Sequence, residues 1–199
     1  MYVESNFVLE LTYLQEARDS CSRLLEFAES GRIRLALPAF CATECRISWQ
    51  STANKRRRFN DDLQVHIREL SRSEPYADIR DRSRELQLAL IEGSEEAKVR
   101  LDDTIDRVLR CADIVDLTPD IIRSAIEGES QFSLSAQDSV VFAAVLHHLR
   151  SVGEGRKFFV NKNSKDFANP DVEAELARHD CKLHWNFDHA ASEITALLR

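Results

Sequence analysis

Short apolar runs alternate with amphipathic segments along most of the chain. The runs predict strands at Tyr2-Val3, Ile33 to Leu37, Ile114 to Leu117, Lys157 to Asn161 and Cys181 to Trp185. Between them, apolar residues at helical spacing and N-cap signals predict helices over about 6–16, 20–30, 118–128, 135–150 and 190–198, with further helices that start near Ala39 and Pro170. Strands separated by helices predict a three-layer α/β/α sandwich with a central parallel sheet of four or five strands.

Residues 51–110 differ from the rest because they are strongly charged. Their apolar residues recur at helical intervals, at Leu63, Ile67, Leu70, Leu86, Leu90, Leu101, Ile105 and Val108. Ser73-Glu74-Pro75 is typical of a helix start with Ser73 as the N-cap. Gly93-Ser94-Glu95-Glu96 is typical of a helix end followed by a new start. We therefore expect two or three helices here, packed as a hairpin that is inserted into a single domain spanning 1–199.

Composition excludes several classes of protein. Hydrophobic residues make up 43% of the 199 residues, with only five Gly and four Pro, so disordered and collagen-like chains are excluded. The longest apolar run, Val140 to Leu146, is too short to span a bilayer, so no membrane association is expected. The N-terminus lacks the features of a signal peptide, and the five cysteines are therefore expected to be reduced thiols of a cytoplasmic protein. A net charge of −7 argues against nucleic-acid binding through bulk charge.

Acidic residues stand at the junctions between predicted strands and helices. Glu4 follows the first strand, Glu44 lies just over one turn into the helix after the second strand, and Asp138 lies in the first turn of an apolar helix. Asp166 follows the fourth strand, with Asn163 three residues before it. Strand ends and helix starts of a parallel sheet converge on one edge. Carboxylates at about 4 Å repel by roughly 4 kcal/mol at an effective dielectric of about 20, so such a cluster needs a cation or raised pKa values. Oxygen ligands of this kind favour Mg²⁺ or Mn²⁺.

Four segments, in this order, make the chain resemble the PIN-domain family: YVESNFVLEL, LALPAFCATECR, LSAQDSVVFAA and FVNKNSKDF. The family comprises metal-dependent ribonucleases and includes the VapC-like toxins of bacterial toxin–antitoxin pairs. The resemblance covers Met1 to about Gln50 and Cys111 to Arg199, and the helical segment between them is longer than in the small toxins. It implies an α/β/α sandwich that hydrolyses RNA phosphodiester bonds with one or two Mg²⁺ or Mn²⁺ ions.

The resemblance also implies which residues form the site. The family's acidic and polar positions fall, in chain order, on Glu4, Glu44, Asp138, Asn163 and Asp166. The four acids would be the metal-binding and catalytic residues, and Asn163 would support the second metal or its waters. Ser5 and Asn6 stand at supporting positions, where Ser5 would orient a ligand or the substrate phosphate.

The first site position departs from the family, which has Asp where this chain has Glu4. The longer side chain moves the ligand oxygen outward by roughly one bond length. This departure keeps a second interpretation open, in which a PIN-like module binds RNA or a protein without cutting.

Most of the acids also have a structural interpretation. Ser135 and Asp138 fit the reciprocal capping pattern of a helix N-terminus. Glu44 on its own would be an exposed helix acid, and Asp166 a turn residue. Glu4 is different, because an acid at a strand end has no evident role in folding.

Basic residues after the second strand are candidates for RNA contact. The predicted strip consists of Arg46, Lys55, Arg56, Arg57 and Arg58, which would contact phosphates of the RNA substrate. The alternative is a solvated helix face, which is the commoner structure for a charge run. The inserted helices could instead serve as the dock for an antitoxin protein or as a homodimer interface.

Overall fold

Five parallel strands form the central sheet of the computed structural model, which describes residues 1–162, 167 and 169–199. The strands are β1 Tyr2–Val3, β2 Leu35–Pro38, β3 Ala112–Val115, β4 Lys157–Val160 and β5 Cys181–His184. Their order is β3-β2-β1-β4-β5, and every neighbouring pair is parallel. All five lie within a few residues of the strands that the apolar runs predict.

Eight α-helices surround this sheet in the described ranges. They are α1 Ser5–Tyr13, α2 Arg18–Glu29, α3 Ala39–Leu70, α4 Ile79–Cys111, α5 Pro119–Phe132, α6 Ala136–Ser151, α7 Pro170–Ala177 and α8 Phe187–Leu197, with a 3-10 turn at Glu74–Tyr76 between α3 and α4. Because parallel crossovers are right-handed, the connections β1 to β2 and β2 to β3 lie on one face, and those from β3 to β4 and β4 to β5 lie on the other. The last helix, α8, returns to the first face and packs against α2. The predicted α/β/α fold is therefore confirmed.

The strand order reverses between β1 and β4, because successive strands are added on opposite sides of this pair. The chain leaves β1 toward β2 on one side, whereas β4 leads to β5 on the other side. In open parallel sheets, this reversal opens a crevice beyond the carboxyl ends of the strands. Residues directly after β1 and at the first turns of the following helices therefore border the crevice.

Aromatic side chains fill the core on both faces of the central strands. Phe159 of β4 is fully buried and meets the ring of Phe167 edge-on, and Phe167 in turn meets Phe142 of α6. On the opposite face, Phe7 of α1 packs against Phe187 of α8. The core therefore anchors α1 and α6, two of the helices that border the crevice, to the sheet.

The helices α3 and α4 form a long hairpin, so the charged segment contains two helices. They have 32 and 33 residues, or about 50 Å each at 1.5 Å per residue. The predicted break at Gly93 is wrong, because α4 continues through it. A glycine in a helix costs about 1 kcal/mol relative to alanine, and contacts with α3 offset that cost here. One such contact is the hydrogen bond from Trp49 Nε1 to the carbonyl oxygen of Ser94, at 3.0 Å.

Two other predicted helix boundaries are also corrected. Ser73 precedes only the 3-10 turn, without a capping hydrogen bond from its side chain, and α4 starts later, at Ile79. The helix α5 runs past Gly128 to Phe132, where Ser133 ends it in a left-handed conformation with φ of 53°. The predicted cap of α5 is confirmed, since the Thr118 side chain accepts a hydrogen bond from the Ile121 backbone N–H. In the part of the chain described, none of the helices combines the length and apolar character that crossing a membrane requires.

Replacing Phe159 should test the core that holds β4 in the sheet. Phe159→Ala should lower the free energy of unfolding by about 3–5 kcal/mol, since it removes a fully buried ring and leaves a cavity. Phe59→Ala is the matched control, because Phe59 is 54% exposed on α3 and its loss should change stability by less than about 0.5 kcal/mol. Urea unfolding of both variants would measure the difference, and equal effects would contradict this description of the core.

Candidate metal centre

Three acidic side chains from separate parts of the chain line one cavity at the carboxyl edge of the sheet. The cavity has a volume of about 550 Å³, and Glu4, Glu44 and Asp138 all border it. They come from the residue after β1, the second turn of α3 and the first turn of α6. The structure thus brings together three of the four predicted acids, while Asn163 and Asp166 lie outside the described residues.

Glu4 is the N-cap of α1, a structural role that the sequence did not reveal. Its Oε2 accepts a hydrogen bond from the backbone N–H of Asn6 at 2.9 Å, and so caps the N-terminus of α1. The side chain is only 7% exposed, and its Oε1 has no hydrogen-bond partner among the described residues. Burial raises the pKa of Glu4 to about 7, hydrogen bonds from Asn6 oppose that shift, and the charges of Glu44 and Asp138 add to it.

Ser5 links the second acid to the first helix. The Ser5 hydroxyl donates a hydrogen bond to Oε2 of Glu44, and the Ser5 carbonyl oxygen accepts one from Cys45 Sγ at 3.5 Å. Burial raises the pKa of Glu44, the bond from Ser5 opposes the shift, and the charge of Asp138 raises it further. The predicted orienting role of Ser5 stays a prediction, but the contact that it requires is present.

Asp138 combines a capping role with a place at the cavity. The Ser135 hydroxyl accepts a hydrogen bond from the Asp138 backbone N–H at 3.2 Å and donates one to Asp138 Oδ2 at 2.5 Å. The predicted N-terminal cap of α6 is therefore confirmed. The cap also fixes the direction of the carboxylate, since a single hydroxyl holds both the backbone and the side chain of Asp138.

The donor set of the cavity suits a hard divalent cation. Its ligand atoms are carboxylate and hydroxyl oxygens, and one buried carboxylate oxygen of Glu4 lacks a hydrogen bond among the described residues. Within those residues, no three His, Cys, Asp or Glu side chains converge closely enough to hold a metal ion by themselves. Water molecules would therefore have to complete the coordination of a cation bound here. Repulsion among the acids adds a reason to bind a cation.

A polar ridge of α3 continues from Glu44, and the sequence interpretation predicted only its last residue, Lys55. The ridge consists of Ser48, Ser51, Thr52 and Lys55, and all four residues border the cavity. They follow Glu44 at intervals of four, seven, eight and eleven residues, which places them on one side of the helix. That spacing is the signal that could have found them. The ridge extends the cavity from its acidic end toward a single lysine.

The predicted basic strip does not lie on one surface. Lys55 borders the cavity, whereas Arg46 pairs with Asp102 of α4 at 2.9 Å. The guanidinium group of Arg56 lies 5.9 Å from the centre of the Tyr13 ring. Consecutive helix residues point about 100° apart, so Arg57 points away from Lys55, whereas Arg58, three residues after Lys55, lies only about 60° from it. The RNA contacts of the five basic residues stay predictions.

The fold is of nuclease type. The family model described as PIN domain matches residues 1–167, and the chain belongs to the PIN-domain family. The match includes the α3–α4 hairpin, which the resemblance in the sequence did not cover. No curated protein and no solved structure matches the chain. PIN domains are generally nucleases and typically use divalent metal ions.

The raised pKa of Glu4 predicts a pH-dependent cost to stability in the absence of metal. Between its usual pKa of 4.5 and about 7, the folded protein holds a proton that the unfolded chain has lost, so stability falls as the pH rises through this range. Glu4→Gln keeps a side-chain oxygen for the cap but carries no charge. The variant should match wild type near pH 4 and exceed its unfolding free energy by up to roughly 3 kcal/mol at pH 8.

Urea unfolding in EDTA at several pH values would measure this difference. Glu16→Gln is the control, because hydrogen bonds from its own backbone N–H and from Lys162 lower the pKa of exposed Glu16. That substitution should give no gain at high pH. A constant difference between wild type and Glu4→Gln would contradict the described environment of Glu4.

Proposed function

We propose that the protein is a metal-dependent endoribonuclease that hydrolyses RNA phosphodiester bonds at the carboxylate cavity. One observation carries the proposal: Glu4, Glu44 and Asp138 line one cavity at the carboxyl edge of a PIN-type sheet, with burial and mutual repulsion raising the pKa of Glu4 and Glu44. Perturbed carboxylates in a cleft are typical of functional sites, since folding alone would favour their separation.

The cation of this proposal is Mg²⁺ or Mn²⁺, held by Glu4, Glu44 and Asp138 directly or through water, with Asp166 as a further ligand. A divalent cation supplies Lewis-acid stabilisation of the phosphate and lowers the pKa of water, so that hydrolysis proceeds near neutral pH. The donor chemistry of the cavity supports this assignment, because the acidic side chains offer only hard oxygen ligands.

Neighbouring groups of the chain position these carboxylates. The Ser5 hydroxyl holds Glu44, the Asn6 backbone N–H holds Glu4, and the Ser135 hydroxyl holds Asp138. Each acid therefore has one oxygen restrained by a donor. At neutral pH and without a cation, Glu4 is partly protonated, so cation binding displaces a proton from it.

RNA would enter along the polar ridge of α3. Hydroxyl groups of Ser48, Ser51 and Thr52 can donate hydrogen bonds to phosphate oxygens, and Lys55 supplies a positive charge at the end of the ridge. An overall charge of −7 repels RNA, so these local contacts and the bound cation must provide the attraction.

A second candidate is a PIN-type module that binds RNA or a protein without cutting. Glu4 in place of Asp favours it, since the longer side chain alters the ligand position. For a protein partner, an antitoxin or a second copy of this chain, the supporting observation is the apolar surface that the hairpin exposes, at Phe59, Val65, Leu86, Leu88, Ile91 and Val99. The cleavage experiment below separates the two candidates.

Metal-dependent cleavage of RNA is the main test. The wild-type protein should cut single-stranded or structured RNA with Mg²⁺ or Mn²⁺ and lose activity in EDTA. Asp138→Asn should lower kcat by at least about 100-fold, because it weakens a predicted ligand, and Glu44→Gln should act similarly. Asp120→Asn is the matched control, since Asp120 also lies in the first turn of a helix but is exposed and paired with Arg123.

Calorimetry with the metal alone gives a second readout. Heat of Mg²⁺ or Mn²⁺ binding should appear for wild type and Asp120→Asn and should be strongly reduced for Asp138→Asn. Metal binding without cleavage would support the non-cutting module instead. Cleavage that persists in both Glu44→Gln and Asp138→Asn would place the activity elsewhere, and equal negligible heats would reject the metal centre.

Lys55 should contribute to RNA affinity more than its basic neighbours. Lys55→Gln should weaken RNA binding and reduce the slope of log K against log salt by about 0.7, the value for one phosphate contact on a single strand. Arg57→Gln is the control for charge, because Arg57 lies roughly 200° around the helix from Lys55. Anisotropy titrations at several salt concentrations would measure both slopes, and a larger effect of Arg57→Gln would contradict RNA entry along the ridge.

A further inference from the structure

A second cavity, of about 420 Å³, lies between α3 and α4 near the tip of the hairpin. It is lined by three arginines, two glutamines and one isoleucine: Gln64, Ile67, Arg68, Arg80, Arg84 and Gln87. No acidic residue of the described chain lines it. The three guanidinium groups make no ion pair or hydrogen bond to any described residue. We call this cavity, with its three arginines, the arginine pocket.

The arginine pocket differs from the rest of α4, where arginines form ion pairs with acidic residues. The other arginines of α4 all have acidic partners: Arg82 with Asp78, Arg100 with Glu96, Arg107 with Glu29 and Arg110 with Asp106. Arg80 and Arg84 instead lie four residues apart on one helix, a spacing at which like charges destabilise the helix. Arg68 brings a third positive charge from α3. Folding alone therefore does not explain the cluster, whereas a bound anion would neutralise it.

Phosphate groups match the chemistry of the arginine pocket best. The planar guanidinium group binds phosphate oxygens through paired hydrogen bonds and stays charged at all physiological pH values. All three arginines are exposed, so a ligand from solvent can reach them. The apolar lining is limited to Ile67, which gives little of the hydrophobic area that the centre of a protein interface usually has.

We propose that the arginine pocket binds backbone phosphates of the same RNA that enters the carboxylate cavity. This inference rests on the proposed ribonuclease function and extends it to the hairpin. The role is positioning of the substrate, because phosphate contacts give affinity and orientation without reading the bases. The pocket also provides a positively charged surface on an acidic protein, where RNA can bind before it reaches the carboxylates that repel it.

The length of the hairpin sets the length of RNA that can use both sites. Arg68 lies roughly 24 residues after Glu44 on α3, which corresponds to about 36 Å along the helix axis. At about 3.4 Å per nucleotide in a helical strand, about ten nucleotides span that distance. A stacked strand shorter than this should reach only one of the two sites at a time.

Binding of short and long RNA tests the inference without turnover. Labelled RNAs of about six and about twenty nucleotides are titrated by anisotropy with Mg²⁺ present, using full-length protein that carries Asp138→Asn to prevent cleavage. With the arginine pocket intact, the long RNA should bind about tenfold more tightly than the short one. Combined Arg68→Gln, Arg80→Gln and Arg84→Gln should abolish this gain and reduce the salt slope by about two, as expected for three lost phosphate contacts.

Arg82→Gln on the same background is the matched control, since it removes one positive charge from α4 outside the pocket. It should leave the preference for long RNA in place. Thermal unfolding followed by circular dichroism checks the fold, and the triple variant should melt at or above the temperature of its parent because like charges have been removed.

Two results would overturn the inference. One is an unchanged length dependence and salt slope in a folded triple variant. The other is a poly-glutamate peptide that binds the parent but not the triple variant, without displacing the long RNA, since this would assign the pocket to an acidic protein. Absence of cleavage by the wild-type protein would reject the ribonuclease function by itself, whereas the binding comparison would still show whether the pocket holds RNA.

Discussion

The site depends on the position of β1 in the sheet. This strand of two residues pairs in parallel with β2 on one side and with β4 on the other. The chain turns away from β1 toward one face and reaches β4 from the opposite face, so a crevice opens where β1 ends. Glu4 is the first residue beyond β1, and the starts of α3 and α6 border the same crevice. A strand of two residues can hold this position because its neighbours bury it completely, with Val3 inaccessible to solvent.

Burial of acidic side chains at this edge lowers the stability of the folded protein when no cation is bound. Glu4 caps α1 with one oxygen, while its other oxygen has no hydrogen bond among the described residues. The cap stabilises α1, but burial of the charge opposes ionisation and raises the pKa of Glu4 to about 7. Sites that bind cations commonly accept such a cost, because the ligand compensates for it. The arginine pocket carries a similar cost, because its three like charges have no acidic partner in the part of the chain that the structure describes.

The distribution of charge matters more here than its sum. Acids gather at the carboxyl edge of the sheet, and near the tip of the hairpin three arginines gather that have no acidic partner among the described residues. Ion pairs such as Arg46 with Asp102 lie between these two regions. The net charge of −7 therefore does not show the local charge of either region. The hairpin separates the two regions by tens of ångströms, so the positive charge of one region does not cancel the negative charge of the other.

By itself the sequence determined the strands and the caps at Thr118 and Ser135, because short apolar runs and caps are local signals. It also placed Glu4, Glu44 and Asp138 at one edge of the sheet, where all three border the same cavity. Only the tertiary structure decided that α4 continues through Gly93, since packing against α3 outweighs the weak helix preference of one glycine. It also decided which basic residues share a surface. Arg68 and Arg84 line one pocket because α3 and α4 run antiparallel. The spacing of residues along the chain does not show which residues of the two helices lie opposite each other.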